Sequence, residues 1–176
     1  MTLSSPLMHL IRCAAIFAGW AALTLIGAYG QMAVLIFLGS LGLLIMVQPL
    51  VALRLLGATP AVWLFPAFAL LSVIWSIVPD ASLRHGIQLV LTFAWAVLAA
   101  RSATPRKLIA TLFLSTALVV VLNVLFGTSN ADPLTGQGSF RGLFVSRNKL
   151  ALLLSIFLLL GFAVLLGALA FAGAGG

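Results

Sequence analysis

The sequence contains very few charged residues and almost none that are acidic. Its 176 residues include two aspartates, Asp80 and Asp132, and no glutamate. Charged residues make up 6% of the chain, whereas a soluble domain carries about 25%. Hydrophobic residues make up 64%, and the mean hydropathy is +1.30. So few charges cannot cover a surface that faces water. The composition therefore excludes a soluble enzyme, a secreted disulfide scaffold and a disordered tail, and it predicts a protein embedded in lipid.

Other residue types and motifs are also missing. Cys13 is the single cysteine, which excludes an internal disulfide and a cysteine-based metal site. The sequence has no HExxH motif, no phosphate-binding P-loop and no Ser-His-Asp set. Nine Lys and Arg residues give a net charge of +7, but they are scattered among apolar runs. Their first meaning is membrane topology, so nucleic acid is not expected as a partner.

Six apolar runs alternate with short polar or turn-forming segments. A spanning helix needs about 20 mainly apolar residues, and a helix satisfies its backbone groups within lipid. The predicted fold class is therefore all-α, a polytopic transmembrane helix bundle of about six spans in a single membrane domain, residues 1–176. The segment between the fifth and sixth spans is rich in the residues of turns. The predicted spans are about 11–29, 32–47, 61–78, 86–100, 108–126 and 150–171, with a loop over 127–149.

The basic residues give a weak orientation signal. With the N-terminus inside, the inner loops hold five basic residues (Arg12, Arg54, Arg101, Arg106 and Lys107), and the outer loops hold four (Arg84, Arg141, Arg147 and Lys149). The short cluster over 101–107 carries the most weight, because basic residues close to span ends favour the cytoplasmic side. The prediction is a multi-pass protein with both termini in the cytoplasm and an outer loop over 127–149.

The outer loop is itself basic just before the sixth predicted span. Gly142 lets the backbone approach a ligand closely, and Ser146 or Asn148 could cap the following helix. The N–H groups at that helix start attract anions. Arg141, Arg147 and Lys149 add positive charge, which favours a phosphate or pyrophosphate site. Phe140 and Phe144 would anchor this loop in the membrane interface. The alternative is headgroup anchoring by basic side chains at the membrane surface.

A second feature is a stripe on the fourth predicted span. Arg84, Gln88, Thr92 and Trp95 follow one another at steps of four, four and three residues, which places them on one helical face. Polar groups within a membrane face the bundle interior or a cavity. For Gln88 and Thr92, hydrogen bonds between helices are the favoured interpretation, and Arg84 could serve either role. Thr111, Ser115 and Asn123 on the fifth span are interpreted as packing residues.

Two segments resemble one protein family. Residues 70–84, which include Trp75, Ser76 and Pro79, are similar to a segment of bacterial O-antigen ligase and exopolysaccharide polymerase proteins. Residues 139–151, which include Arg141-Gly142 and Asn148-Lys149, are similar to a second segment of the same family, most of all in its polymerase branch. The two segments agree in order and spacing, and the resemblance covers roughly residues 60–165.

The resemblance implies a glycosyltransferase-type protein of the bacterial inner membrane. Such proteins take a glycan from undecaprenyl pyrophosphate and pass it to a lipid A core sugar or to another growing chain. The reaction takes place at the periplasmic face and needs no metal, cofactor or nucleotide sugar. Periplasmic arginines hold the pyrophosphate, which agrees with the anion site inferred for Arg141. The predicted binders of the lipid pyrophosphate are Arg141, Arg147, Asn148, Lys149 and Arg84; no catalytic residue is assigned.

The chain also departs from the family pattern. Members have about ten to twelve spans, and a large periplasmic loop with a functional histidine lies in their second half. We therefore expect a truncated member, a fragment or one piece of a split protein, which would catalyse only when completed by a second half. Arg147 stands where the family has lysine. Two alternatives remain: a non-enzymatic membrane subunit that binds polyprenyl lipid or a partner helix bundle, and a small transporter. The transporter is disfavoured because no predicted span contains a carboxylate.

Overall fold

The computed structural model describes residues 5–50, 52, 54, 60–131, 138–144 and 147–173. Within these residues the chain is a bundle of α-helices with one short hairpin, which confirms the predicted all-α fold class. The helices are α1 (Ser5–Tyr29), α2 (Gln31–Val47), α3 (Pro60–Leu71), α4 (Pro79–Ser102), α5 (Pro105–Phe126) and α6 (Arg147–Gly173). A 3₁₀ turn over Ser72–Trp75 follows α3, and the strands are β1 (Thr128–Ala131) and β2 (Gly138–Gly142).

Four of the helices are long and apolar enough to cross a membrane. By length and composition these are Pro6–Tyr29, Pro79–Ser102, Pro105–Phe126 and Asn148–Gly167. Two further apolar helical segments are shorter: Gln31–Val47, which is α2, and Ala61–Trp75, which combines α3 with the 3₁₀ turn. Most of the large apolar side chains on α2 and α6 are exposed in the isolated chain, as expected for helices that face hydrocarbon rather than water.

Proline residues mark two helix starts. Pro79 and Pro105 both stand at the first helical position, where the missing N–H group costs nothing and the fixed φ angle suits a helix. The third predicted span, 61–78, ends just before Pro79-Asp80. In the structure both residues belong to the first turn of α4, where the Asp80 carboxylate faces the positive end of the helix dipole. The expected helix end is therefore a helix start.

The main core lies where α1, α2 and α4 meet. Gly30 adopts a φ of 52° and turns the chain directly from α1 into α2. A Cβ atom on Gly19 would collide with the Trp95 indole and with the Ser40 hydroxyl, so only glycine lets the three helices approach this closely. Ile16, Leu44 and Leu98 are among the buried residues of this cluster.

A second cluster joins α5, α6 and the loop between them. Val119, Phe144 and Leu153 are its buried members, and Leu25 of α1 packs against them. The loop predicted over 127–149 contains the antiparallel pair β1 and β2, in which Ser129 pairs with Phe140 and Ala131 with Gly138. The hairpin brings the chain back to the end of α5 before α6 begins, so it fixes where α6 starts.

Candidate functional site

A cavity of about 460 Å³ lies between α1, α4 and α6. It is bordered by the second half of α1, the middle of α4 and the first part of α6, so it lies toward the end of the bundle where α6 begins. Most of its lining is apolar. The lining residues are Trp20, Leu23, Thr24, Ile26, Gly27, Gln88, Thr92, Phe144, Lys149, Leu152, Leu153 and Ile156. The size falls in the range of about 300–1,000 Å³ typical of ligand sites.

Within the described part of the chain, Lys149 and Gln88 are the polar lining groups with side chains not engaged by other residues. The Lys149 Nζ atom lies 3.8 Å from the position that a Cβ atom on Gly27 would take, so the absent side chain makes room for the amine. Among the described residues, neither Lys149 nor Gln88 has a hydrogen-bond or ion-pair partner. Lys149 is exposed, so its ammonium group is accessible and can form a charge-assisted hydrogen bond with an anionic ligand in the cavity.

The hydroxyl groups of the two lining threonines donate hydrogen bonds to backbone carbonyl oxygens of their own helices. Thr24 Oγ1 donates to the carbonyl oxygen of Ala21 at 2.8 Å, and Thr92 Oγ1 donates to that of Gln88 at 2.8 Å. The hydrogen bond expected between helices for Thr92 is therefore made within α4, because a threonine hydroxyl in a helix readily reaches the carbonyl one turn back. The threonine methyl groups can then add to the apolar lining.

Trp20 forms a fixed wall of the cavity. Its Nε1 atom donates to the Thr116 hydroxyl oxygen at 2.8 Å, and its ring stacks on Trp95 with the ring centres 6.4 Å apart. Ser115, on the same helix as Thr116, donates to the carbonyl oxygen of Phe17 at 3.0 Å. Ser115 and Thr116 thus tie α5 to α1, and this cavity wall is held by hydrogen bonds rather than by apolar packing alone.

Asn123 fixes the loop that precedes α6. Its side chain is buried; Nδ2 donates to the carbonyl oxygen of Val119 at 2.8 Å, and Oδ1 accepts the backbone N–H of Leu143 at 2.7 Å. Asn123 was expected to be a packing residue, and its hydrogen bond to the loop was not predicted. Phe144, the next residue, is buried against Val119 and Leu153. Its expected role as an anchor in the membrane interface is therefore wrong, because its ring packs inside the bundle.

The predicted site residues are placed as follows. Lys149 lines the cavity, and Asn148 is exposed in the first turn of α6. Arg84 is exposed in α4, one turn before Gln88, and is outside the lining. Because α6 begins at Arg147, Asn148 lies within the helix and is not its cap; Ser146, the other candidate cap, lies outside the described residues. The backbone of Arg141 belongs to β2, and the side chains of Arg141 and Arg147 lie outside the described residues.

The segment over 70–84 has a structural explanation. The Ser76 and Ser82 hydroxyl groups are 2.6 Å apart, and Ser76 Oγ also accepts the backbone N–H of Val78 at 3.1 Å. These bonds close the turn between α3 and α4. A Cβ atom on Gly86 would lie 2.9 Å from a methyl group of Leu70, so glycine keeps the two helices in contact. The segment therefore sets the position of the first turns of α4, where Arg84 and Gln88 lie.

Metal ligands are not grouped in the part of the chain that the structure describes. No set of three or more His, Cys, Asp and Glu side chains lies close enough there to hold a metal ion. The cavity lining contains no such residue. The chemistry that its described side chains can offer is charge, hydrogen bonding and apolar contact.

Comparison with known proteins gives one similar protein. The chain is 33% identical over 135 residues to the exopolysaccharide production protein ExoQ of Rhizobium meliloti (strain 1021). The alignment covers 77% of this chain and 31% of ExoQ, so the chain spans about a third of the length of that relative. A comparison with protein families finds no match, and no solved structure matches the chain. The chain is thus a helical membrane protein whose similarity to ExoQ supports the resemblance to the polysaccharide ligase and polymerase family.

Proposed function

We propose that this chain acts in the production of cell-surface polysaccharide as part of a protein of the O-antigen ligase and exopolysaccharide polymerase family. The reaction would ligate or polymerise glycan carried on undecaprenyl pyrophosphate. The similarity to ExoQ supports the biological process. The cavity between α1, α4 and α6 supports this choice of ligand. It is the observation on which the proposal rests.

The cavity suits a lipid that carries an anionic headgroup. Its interior is formed by apolar side chains and the Trp20 ring, which suit a prenyl chain through burial of apolar surface. The Lys149 ammonium group lies among the lining residues with no described counter-charge, and a phosphate oxygen would supply one. Gln88 can hydrogen-bond to the same headgroup. We propose that Arg84, Arg141, Arg147 and Asn148 contribute further contacts at the mouth of the cavity.

The proposed location is the inner membrane of a bacterium, with both chain termini in the cytoplasm. The Arg101 to Lys107 cluster lies at the opposite end of α4 from Gln88. If that cluster is cytoplasmic, the cavity lies in the periplasmic half of the bundle, on the side where the proposed reaction would occur. The positive-inside rule supports this assignment.

The direct test compares two lipids that differ only in the headgroup. We expect the purified chain to bind undecaprenyl pyrophosphate at least about tenfold more tightly than undecaprenol, because one charge-assisted hydrogen bond contributes about 1.5–3 kcal/mol. Native mass spectrometry in one detergent gives both affinities. Equal binding of the two lipids would contradict the proposed anion site.

A second candidate is a membrane subunit that binds the polyprenyl lipid without transferring the glycan itself. The chemistry of the described lining favours it, because Lys149 and Gln88 can bind a headgroup but do not form an acid and base pair across a glycosidic bond. Lipid binding without glycan transfer, even when the chain is joined to the remaining length of an ExoQ-like partner, would support this candidate over the enzyme.

A further inference from the structure

We infer that Asn123 is a positioning residue for the cavity: it holds Leu143, just after β2, and thereby places Lys149 among the lining residues. The inference rests on the proposed function only for its effect on lipid binding. The role of Asn123 in placing the start of α6 is argued from the structure alone. Asn123 lies on α5, outside the cavity lining, so any effect it has on a bound lipid must act through other residues.

Asn123 holds the loop through a contact that apolar residues of the same size cannot make. It is 1% exposed, and its two polar atoms are both paired, one within α5 and one with the Leu143 N–H. The part-buried backbone N–H of Leu143 needs an acceptor, because an unpaired N–H away from water costs free energy. In Asn123 this acceptor is carried by a helix that is itself tied to α1 through Ser115 and Thr116. The loop is thus fixed to the rigid part of the bundle.

Gly142 completes the contact from the loop side. Its φ is 65°, a conformation that L side chains rarely adopt. A Cβ atom at this position would collide with Asn123 Oδ1 and lie 3.2 Å from Cγ. The backbone can approach the amide this closely only because residue 142 is glycine. The contact therefore needs both Asn123 and Gly142. A substitution at either position would disturb it.

Three residues separate Leu143 from the first residue of α6. Leu143 is held by Asn123, and Phe144 is buried beside Val119 and Leu153. Because two residues lie between Phe144 and the start of α6, fixing Leu143 and Phe144 limits the positions at which α6 can begin. Lys149 lies in the first turn of α6 and Leu153 one turn further, and both line the cavity. Loss of the Asn123 contact would release the start of α6 and spread the positions available to the Lys149 amine.

The test measures the position of α6 and the binding of lipid separately. Spin labels are placed at Ala151→Cys, which lies on α6 outside the cavity lining, and at Met46→Cys, in a Cys13→Ala background, since both labelled positions are exposed. Double electron–electron resonance then gives the distance distribution across the bundle. Asn123→Leu keeps the side-chain size but removes the acceptor, and Gly142→Ala disturbs the same contact from the loop. Ser102→Ala is the matched control, because it removes a buried hydrogen bond to the Leu98 carbonyl oxygen in the last turn of α4, away from the loop.

We expect Asn123→Leu and Gly142→Ala each to broaden the distance distribution and to weaken binding of undecaprenyl pyrophosphate at least about tenfold, the effect of losing a headgroup contact. Ser102→Ala should leave both quantities as in the wild type. An unchanged distribution in both loop variants would overturn the inference. A broadened distribution with unchanged binding would overturn the link to the cavity. If the wild type binds no lipid, the proposed function fails while the distance measurement still decides the role of Asn123.

Discussion

Gly27 of α1 and Lys149 of α6 are neighbours in the lining of the cavity, with the Lys149 Nζ atom 3.8 Å from where a Gly27 Cβ would lie. The two residues are far apart in the sequence, and both line the cavity. The small residue on one helix leaves the space in which the amine of the other is accommodated. The position of the charged amine therefore depends on a small residue at position 27, which makes no polar side-chain contact of its own.

This relationship predicts the effect of filling the space. Gly27→Leu would occupy the volume next to the amine and displace it, so we expect affinity for undecaprenyl pyrophosphate to fall at least about tenfold, as for loss of a charge-assisted hydrogen bond. Gly27→Ala should bind as the wild type does, because 3.8 Å is an ordinary contact distance for its Cβ. Gly39→Leu on α2 is the control, since nothing lies within 4 Å of a Cβ there. Equal affinities for Gly27→Leu and the wild type would remove Gly27 from the site.

A second prediction concerns the close approach of helices at Gly19. Gly19→Ala and Gly42→Ala both gain about 1 kcal/mol of helix propensity, but only the first places a Cβ against Trp95 and Ser40. We expect Gly19→Ala to be less stable than Gly42→Ala by about 1–3 kcal/mol, the cost of an overpacked core. Thermal unfolding of both variants in one detergent measures the difference. Equal unfolding temperatures would mean that the three helices can separate without cost.

The orientation of the chain gives a third prediction. Reporter fusions at Pro105 and at Gln137 should fall on opposite sides of the membrane, with Pro105 in the cytoplasm, because the basic cluster over 101–107 favours that side. A fusion at Gln137 that reports the cytoplasm would reverse the orientation. The proposed periplasmic reaction would then be excluded.

The apolar runs predicted helices well because hydrocarbon leaves the backbone no other way to satisfy its polar groups. The same physics does not say on which side of a helix boundary a proline lies. Pro79 follows an apolar run and precedes another, so it suited a helix end as well as a helix start; the structure places it at the start of α4. The hairpin of β1 and β2 was not predicted, because its short strands lie among the residues typical of turns.

The stripe of Gln88 and Thr92 was visible in the sequence, since it depends on the helical repeat alone. The approach of Lys149 to these residues was not, because it depends on how α6 packs after a loop of about twenty residues. The same holds for Asn123. Its sequence position predicts a buried amide, but the Leu143 N–H that it accepts belongs to another element, and only tertiary packing shows that the amide holds a loop.

A fourth prediction concerns Arg141 in β2. A guanidinium group can bind phosphate oxygens through two parallel hydrogen bonds, whereas lysine offers a point charge. If Arg141 binds the headgroup, Arg141→Lys should weaken binding of undecaprenyl pyrophosphate at least about tenfold and leave membrane insertion unchanged. An arginine that only anchors the loop would tolerate lysine, because both side chains extend to the membrane surface. Arg54→Lys is the control. Equal affinity for Arg141→Lys and the wild type would reduce Arg141 to an anchor.

The measurement that tests the central claim most directly is the affinity of Lys149→Met for undecaprenyl pyrophosphate. Methionine keeps much of the length and apolar character of lysine but removes the charge, so the variant isolates the ammonium group from the packing of α6. Lys107→Met removes an exposed charge near the start of α5, at the other end of the bundle, and serves as the control. We expect Lys149→Met to bind at least about tenfold more weakly than the wild type, and Lys107→Met to bind equally well. Wild-type affinity in Lys149→Met would contradict the assignment of the cavity as the site of the lipid pyrophosphate.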